Sequence, residues 1–311
     1  MDLYSIGEML IDFTPGSEPA SYIRNPGGAP ANVAIAAARN GLAAGLCTCV
    51  GDDDFGRFLL HTLEENGVQV MNLELCSQAV TTLAFVTLDA GGNRSFTFAR
   101  KPGADMFLGE DAVKEEDIRN SAIVHAGSYS LSAFPAAEAT AKAMRLAHSL
   151  GKLVSFDVNY RGVVWSSGPA ACAAKVREIL PYVDLLKVSD EEVDMMGGED
   201  ALPGLMEEFG VALLVETLGG SGARCFFAGE HWDVAGKKVP CVDTNGAGDA
   251  FWGAFLSSLR LQGVDRVDQI TREIASRAME YGNAAGGLTV QKKGAIPALP
   301  TREEIEAALG A

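Results

Sequence analysis

The sequence predicts an α/β protein with a mostly parallel central sheet covered by helices on both faces. Short apolar, strand-like runs alternate with alanine-rich or amphipathic stretches along most of the chain. Such alternation is typical of βαβ units, in which a helix connects two parallel strands. The chain has 311 residues, of which 48% are hydrophobic, so it is long and apolar enough to bury a sizeable core.

The strand-like runs are nearly continuous in apolar residues, which is typical of strands buried on both faces. In chain order they read "LYSIGEMLIDF", "GLCTCVG", "SAIVHAG", "KLVSFDVN", "VDLLKVS" and "VALLVETLG". Helical stretches are predicted between them at residues 32–39, 136–150 and 170–180.

Two segments depart from this alternation and predict a second, smaller sheet. Residues 13–25 show no helical period, and residues 81–100 read as two alternating strands joined by the turn "DAGGN". No repeat, low-complexity tract or long linker divides the chain. We therefore expect a single domain, 1–311, that carries a small β-sheet lid built from approximately 13–26 and 81–106.

Charge and hydropathy exclude several classes of partner. Acidic residues outnumber basic ones by 41 to 25, a formal net charge of −16, which disfavours nucleic acid and anionic lipid. No run of about 18 apolar residues could span a bilayer, and the start "MDLYSIGEML" lacks the features of a signal peptide. We expect a cytoplasmic protein without a nucleic-acid or membrane partner.

Cysteines and histidines do not indicate a disulfide framework or a transition-metal site. The six cysteines are scattered without a CxxC pair, and the four histidines are too far apart for an HExxH-type motif. We expect most of the cysteines to be buried as small apolar residues.

The stretch "VDTNGAGDAFWGAF", residues 242–255, predicts a glycine turn that leads directly into a helix. From Asp249 onward one helix face is apolar, at Phe251, Ala254, Phe255 and Leu259. The preceding run "KKVPCV" is strand-like, with Pro240 tolerable near an edge or a strand end. The glycines are therefore expected between a strand and a helix N-terminus.

This turn is suited to bind an anion. The first N–H groups of a helix lack intrahelical partners, and glycines at 246 and 248 would let the backbone approach a ligand closely. Asp249 at the same place makes sense as a base for a hydroxyl that attacks a bound phosphoryl group. The alternative is a tight turn with Asp249 as a helix cap. The third glycine of a Rossmann turn is missing, and no Walker A loop is present.

The stretch "DTNGAGD" resembles the C-terminal signature of the ribokinase/PfkB family of carbohydrate kinases. The N-terminal signature is similar to "NPGGAPANVAIAAARNG", which contains Gly27, Gly28 and Asn32. The two signatures occur in the family's order, far apart in the chain. The resemblance implies the ribokinase-like fold, a three-layer α/β/α sandwich with a mostly parallel central sheet and a β-sheet lid over the sugar.

The resemblance implies an ATP-dependent kinase in which Asp249 is the general base and the backbone at Gly246, Ala247 and Gly248 forms an anion hole. Substrate-binding residues implied by it are Asp12, Gly27, Gly28, Asn32, Arg100, Arg161 and Asp249. Nucleotide-binding residues implied by it are Lys187, Ser189, Glu192, Thr217, Gly219, Gly222, Gly248 and Asn283. Ser189 departs from the asparagine of many family members.

Several stretches, among them "GEMLIDFTPG", "FARKPGADMFL" and "FDVNYRGVVW", look most like the fructokinase branch. The implied substrate is therefore a ketohexose. Kinases of the same fold that act on 2-keto-3-deoxygluconate, ribose or a nucleoside remain alternatives. For 2-keto-3-deoxygluconate, Arg161 could bind the substrate carboxylate. More distant alternatives are a non-catalytic sugar- or nucleotide-binding regulator and an NAD-dependent dehydrogenase. The dehydrogenase would need an early GxGxxG turn, which "GGAPAN" is not.

The resemblance also implies Mg²⁺ bound with ATP, and K⁺ near the anion hole at Asp243, Asn245 and Gly294. An extended lid sheet would leave exposed strand edges, and covering them gives a physical reason to expect a homodimer through the lid.

Overall fold

The computed structural model describes residues 1–18, 20–72, 75–88 and 94–310. Helices and strands alternate along most of this part of the chain, as predicted. The α-helices in chain order are α1 (Ala29–Arg39), α2 (Asp54–Glu65), α3 (Glu115–Arg119), α4 (Ala136–Ser149), α5 (Pro169–Ile179), α6 (Asp190–Met196), α7 (Leu202–Phe209), α8 (Ala247–Leu261), α9 (Arg272–Thr289) and α10 (Arg302–Leu309).

Within the described residues the central sheet has nine strands. In spatial order they are β13 (Glu230–Ala235), β12 (Gly222–Phe227), β11 (Leu213–Thr217), β10 (Leu185–Ser189), β9 (Leu153–Asp157), β8 (Ile123–Gly127), β1 (Leu3–Ile6), β4 (Ala44–Cys47) and β5 (Gln69–Val70). Neighbouring strands are parallel from β11 to β5, whereas β12 and β13 form an antiparallel hairpin at one edge. The predicted mostly parallel sheet is confirmed.

Alternate residues of the central strands pack into two separate cores, which gives the three-layer sandwich. Leu3 and Leu185 belong to a core that includes residues of α1, α8 and α9. Their neighbours Tyr4 and Leu186 belong to the core beneath α4 and α5. The period of two in the strands therefore determines which helix layer each side chain contacts.

The smaller sheet has the strand order β3 (Tyr22–Gly27), β2 (Leu10–Pro15), β6 (Leu83–Leu88) and β7 (Arg94–Ala99). β6 and β7 pair antiparallel, as predicted for a hairpin, and β2 pairs parallel to β6. The predicted turn at 89–93 lies outside the described residues. Because β2 follows β1 and β3 leads into α1, this sheet adjoins the carboxyl end of the central strands.

The strand predicted for "KKVPCV", residues 237–242, is wrong. β13 ends at Ala235, and the segment that follows has no regular secondary structure. Pro240 has no N–H to give to a ladder. The N–H groups of Val242 and Asp243 instead donate to the carbonyl of Val290, the residue that ends α9, at 2.7 and 3.2 Å. A loop anchored on α9 therefore precedes α8.

Five of the six cysteines are buried and only Cys241 is exposed, as expected for cysteines that act as small apolar residues. Among the described helices, none combines the length and the apolar character needed to cross a membrane.

Candidate active site

Polar side chains from distant parts of the sequence converge where the central strands end and where α1 and α8 begin. Asp249 lies in the first turn of α8 and is only 5% exposed. One of its carboxylate oxygens, Oδ2, accepts a hydrogen bond of 2.7 Å from Asn32 Nδ2 in α1. The other, Oδ1, accepts one of 3.2 Å from Asn159 Nδ2, beyond the end of β9. The two family signatures thus meet at one carboxylate.

Burial raises the pKa of the Asp249 carboxyl, although the hydrogen bond from Asn32 opposes this shift. The positive charges of Arg161 and Lys187 also favour the ionised form, whereas the Asp157 carboxylate disfavours it. Asp249 is therefore a buried carboxylate whose proton affinity is increased, as suits a base.

The turn before α8 requires glycine at position 246. Gly246 is the N-cap of α8 with φ 76°, and a Cβ there would lie 2.7 Å from the Cβ of Ala295. The N–H of Ala247 donates to the carbonyl of Thr244 at 3.3 Å. The N–H groups of Gly248 and Asp249 are thus better placed than that of Ala247 to bind an anion.

A buried ion pair lies beside this helix N-terminus. Lys187 Nζ contacts Asp157 Oδ1 and Oδ2 at 3.0 and 2.9 Å, and both residues are almost fully buried. Burial lowers the pKa of Lys187, but the Asp157 and Glu192 carboxylates outweigh it, and the net shift is upward. A Cβ on Gly248 would lie 3.5 Å from Lys187 Nζ, so the ammonium group reaches the turn.

Glu192 connects the loop after β9 to the start of α6. Its Oε1 accepts from the N–H of Tyr160 at 2.6 Å, and its Oε2 accepts from the N–H of Ser189 at 2.9 Å. Ser189 is the N-cap of α6. Burial and the charge of Asp157 raise the pKa of Glu192, whereas Lys187 lowers it. The serine that departs from the family pattern is thus a helix cap whose backbone binds this carboxylate.

The glycine pair of the N-terminal signature contacts Asp12 and the chain around Glu8. A Cβ on Gly27 would lie 2.4 Å from Asp12 Oδ2, and one on Gly28, whose φ is 115°, would lie 2.5 Å from the Glu8 carbonyl oxygen. Burial raises the pKa of Asp12 to about 6, although Arg161 and a hydrogen bond from Asn245 lower it. The expected sugar-binding residues Asp12, Gly27 and Gly28 are therefore adjacent.

The two candidate arginines differ in their surroundings. Arg100 is largely buried, pairs through Nε and Nη2 with Asp105 Oδ2 at 2.8 and 2.7 Å, and stacks on the Tyr129 ring. Arg161 is exposed, donates to the carbonyl of Tyr160 at 3.1 Å, and acts electrostatically on Asp12 and Asp249. Arg161 is thus the arginine with the more accessible charge.

The expected nucleotide-side residues lie around the end of β11 and on α9. Thr217 ends β11, and its hydroxyl donates to the carbonyl of Val188 at 3.4 Å. Gly219 and Gly222 flank the turn that leads into β12. Asn283 Nδ2 donates to the Val234 carbonyl at 2.9 Å, and a Cβ on Gly222 would contact the same oxygen. Gly222 and Asn283 thus meet at Val234.

The three candidate cation ligands are also brought together. Asp243 Oδ1 accepts from the N–H of Asn245 at 2.9 Å, and Oδ2 accepts from the N–H of Gly294 at 3.0 Å. The Asp243 carboxylate thus connects the loop before α8 to the loop after α9.

Five residues of this site were not singled out from the sequence: Glu8, Asp105, Tyr129, Asp157 and Asn159. Asp157 is the last residue of a buried strand and Asn159 lies two residues beyond it, a position where polar side chains are a usable signal. Glu8 is 4% exposed, and its Oε1 accepts from the N–H of Ala29 at 3.1 Å. Nothing in the local sequence around Tyr129 distinguishes it from a core residue.

The family model described as pfkB family carbohydrate kinase matches residues 1–302. Fructokinase-1 of Oryza sativa subsp. japonica is 41% identical over 311 residues, covering 97% of this chain and 95% of the relative.

The fructokinase of Xylella fastidiosa, solved with bound ATP, superposes with a TM-score of 0.93 at 32% identity and covers 99% of this chain and 98% of its own. The fructokinase of Vibrio cholerae O395, solved with fructose, ADP and calcium, has a TM-score of 0.88 at 33% identity, with coverages of 99% and 98%. A double mutant of the Vibrio enzyme was solved with fructose, ADP and potassium.

Proposed function

We propose that this chain, which belongs to the pfkB family of carbohydrate kinases, transfers the γ-phosphoryl group of ATP to a primary hydroxyl of fructose. The family establishes an ATP-dependent carbohydrate kinase, and the fructokinases among its relatives support the choice of sugar. The observation that carries the choice is the charge around the sugar side of the site.

That side holds several carboxyl groups. Asp105, Glu8 and Asp12 all raise the pKa of Tyr129. Arg100 is already paired with Asp105. A sugar acid such as 2-keto-3-deoxygluconate would bring another carboxylate beside Asp12 and Asp105, where like charges repel, although the exposed Arg161 opposes this repulsion. A neutral sugar, whose hydroxyls both donate and accept, is the better fit.

In the proposed mechanism Asp249 takes the proton of the sugar hydroxyl as the oxygen attacks the γ-phosphorus. A bond forms between the sugar oxygen and phosphorus, and the bond from phosphorus to the β,γ-bridging oxygen breaks, leaving ADP. The N–H groups of Gly248 and Asp249, with that of Ala247 more weakly, and the ammonium of Lys187 stabilise the charge on the phosphoryl oxygens. Asn32 keeps Asp249 oriented toward the hydroxyl.

The residues around the anion turn fit a nucleotide with Mg²⁺. Gly248 keeps the helix N-terminus free of a side chain next to Lys187, which supplies a buried positive charge. Mg²⁺ bound to the phosphates would neutralise part of their charge, and Glu192 could order its water. We assign Ser189 to the Mg–phosphate side. We assign Thr217, Gly219 and Gly222 to the phosphates and ribose, and Asn283 to the adenine side.

We assign a K⁺ site to Asp243, Asn245 and Gly294, where a carboxylate lies next to backbone groups of two loops. We propose that the smaller sheet is a lid on a single domain. We propose that its edge strand β3 forms a homodimer contact.

A coupled ADP-release assay tests the proposed substrate. With Mg–ATP and K⁺, kcat/KM should be at least about tenfold higher for fructose than for 2-keto-3-deoxygluconate, ribose, glucose or adenosine, equivalent to ~1.4 kcal/mol in transition-state binding. Repeating the fructose assay with tetramethylammonium in place of K⁺ should lower the rate. If another sugar is preferred, the assignment of fructose as the substrate is refuted and the kinase chemistry stands. If none of the tested compounds causes ADP release above background, the sugar stays unknown or the regulator alternative is revived.

The role of Asp249 has a separate test. Asp249→Asn keeps the side-chain size but removes the base, so kcat should fall by about 10²–10⁴-fold or more. Binding of ATP, measured by calorimetry without sugar, should be nearly unchanged. Turnover close to that of the unaltered protein would exclude Asp249 as the base.

A further inference from the structure

Asn159 is one of three non-glycine residues in the described part of the chain with positive φ. Its φ is 38°, and it lies two residues beyond the end of β9, 8% exposed. Asparagine tolerates the left-handed region better than most residues, but it still adopts it rarely. Strained backbone of this kind persists where the surroundings impose it, and it concentrates at functional sites.

The side chain of Asn159 connects two carboxylates. Its Nδ2 donates to Asp249 Oδ1 at 3.2 Å and to Asp157 Oδ2 at 3.4 Å. An amide nitrogen carries two hydrogens, one for each acceptor. The flipped amide would instead direct its oxygen at two carboxylates, so electrostatics supports this orientation. Asp157 in turn binds Lys187, which reaches the anion turn.

The Asp249 carboxylate is therefore held from both sides, through Oδ2 by Asn32 in α1 and through Oδ1 by Asn159. Without Asn159, nothing in these contacts would hold Oδ1 or separate it from Asp157.

We propose that Asn159 is a positioning residue for Asp249: its strained backbone places one amide between the carboxylates of Asp157 and Asp249, so that the base keeps both its orientation and its ionised form. The inference rests on the proposed role of Asp249 as the base. The charged groups that act on Asp249 are Asp12, Asp157, Arg161 and Lys187, from β2, β9, the loop after it and β10.

Two substitutions separate the amide from the backbone strain. Asn159→Gly removes the amide at a φ that glycine adopts freely, so the fold should be retained. Asn159→Asp keeps the shape and replaces the donor with a third carboxylate. Ala228→Gly is the matched control, because Ala228 has φ 51° in the remote turn between β12 and β13. It should relieve strain without changing kcat.

For Asn159→Gly we expect kcat with fructose to fall on the order of 10²-fold, as for a displaced catalytic group, with the KM for ATP unchanged. The acidic limb of the kcat/KM profile should move to higher pH, because the carboxylate loses a donor. Asn159→Asp should move that limb further. A merely structural residue would lower thermal stability without moving the limb.

The inference is overturned if both variants melt like the unaltered protein and keep its kcat and acidic limb, or if only the KM for fructose changes. Asp249→Asn separates this failure from failure of the proposed mechanism. If Asp249→Asn is inactive and Asn159→Gly behaves like the unaltered protein, only the positioning role fails. If Asp249→Asn is active, the base assignment itself fails.

Discussion

Individual residues at this site combine burial with charge, which makes their protonation part of the stability of the protein. Glu8 is the clearest case, because burial raises the pKa of its carboxyl to about 8. Nearby Asp105 contributes to this upward shift, whereas the hydrogen bond from the Ala29 N–H and the charge of Arg161 oppose it. Glu8 thus holds its proton in the folded chain at pH values where an unfolded chain would release it.

From this shift we predict that the free energy of unfolding decreases as pH rises from about 4.5 to about 8. In that range the folded state binds more protons than the unfolded state, so each pH unit removes up to ~1.4 kcal/mol. Glu8→Gln keeps an acceptor for the Ala29 N–H and cannot titrate. The free energy of unfolding of this variant should therefore depend less on pH. Urea unfolding at pH 5, 6.5 and 8 measures the difference.

The control for this prediction is Glu207→Gln, since Glu207 is exposed on α7. The free energy of unfolding of Glu207→Gln should change with pH as that of the unaltered protein does. Parallel curves for Glu8→Gln and the unaltered protein would show that Glu8 ionises as readily in the fold as outside it.

At the scale of elements, the hydrogen bond from Asn32 to the proposed base Asp249 depends on how closely α1 and α8 pack. Gly253 lies one turn after Asp249, and Ala36 lies one turn after Asn32. A Cβ on Gly253 would be 2.6 Å from the Ala36 Cβ and 2.9 Å from the Val33 carbonyl oxygen. The helices can approach this closely only because position 253 has no side chain.

We therefore predict that Gly253→Ala forces α1 and α8 apart, although it touches no substrate. Overpacking should destabilise the fold by about 1–3 kcal/mol, and kcat should fall because the hydrogen bond from Asn32 to Asp249 lengthens. Gly204→Ala is the control, because a Cβ on Gly204 in α7 meets nothing within 4 Å. That change should stabilise by up to about 1 kcal/mol and leave kcat unchanged. Equal behaviour of the two variants in thermal melts and assays would refute the packing argument.

A buried hydrogen-bond chain holds α8 to the sheet. Trp252 Nε1 donates to Ser155 Oγ in β9 at 2.9 Å, and Ser155 Oγ lies 3.0 Å from His125 Nδ1 in β8. Burial lowers the pKa of His125 to about 4, so the ring is neutral near pH 7. Ser155 thus connects the helix that carries Asp249 to the strand that ends at Asp157.

At the scale of the whole molecule, the smaller sheet ends in an edge strand with exposed apolar side chains. Tyr22 and Ile23 of β3 are 47% and 53% exposed. Such an edge favours association unless it is covered, which supports the proposed homodimer.

Light scattering at micromolar concentration should then give the mass of two chains. Ile23→Lys should shift the mass toward one chain, because it places a charge in the proposed contact. Leu261→Lys, at the far end of α8 and 44% exposed, should have no such effect. A single-chain mass for the unaltered protein would exclude the lid dimer at that concentration.

Local patterns were sufficient to predict the architecture. Apolar residues that recur with a period of two or 3.6 indicate which side chains of a strand or helix are buried. The main strands, the β6–β7 hairpin and the apolar face of α8 were therefore predicted correctly. The strand predicted at 237–242 was wrong, because this short apolar run is a loop whose hydrogen bonds go to the end of α9. The single run "LYSIGEMLIDF" forms two strands, β1 and β2, in different sheets. A run of six residues does not reveal where its N–H groups will find partners.

The sequence alone also indicated two parts of the candidate site, because one signature contains Gly246 and Asp249 and the other contains Gly27, Gly28 and Asn32. Only the tertiary structure decided which of these side chains form hydrogen bonds or ion pairs with one another. Asn32 and Asp249 are separated by 217 positions, and Asn159 and Asp249 by 90. Contacts across such distances leave no periodic trace in either segment, since they depend on the register of the sheet and on helix packing. The same reason explains why the pairing of Arg100 with Asp105 could not be predicted from the sequence.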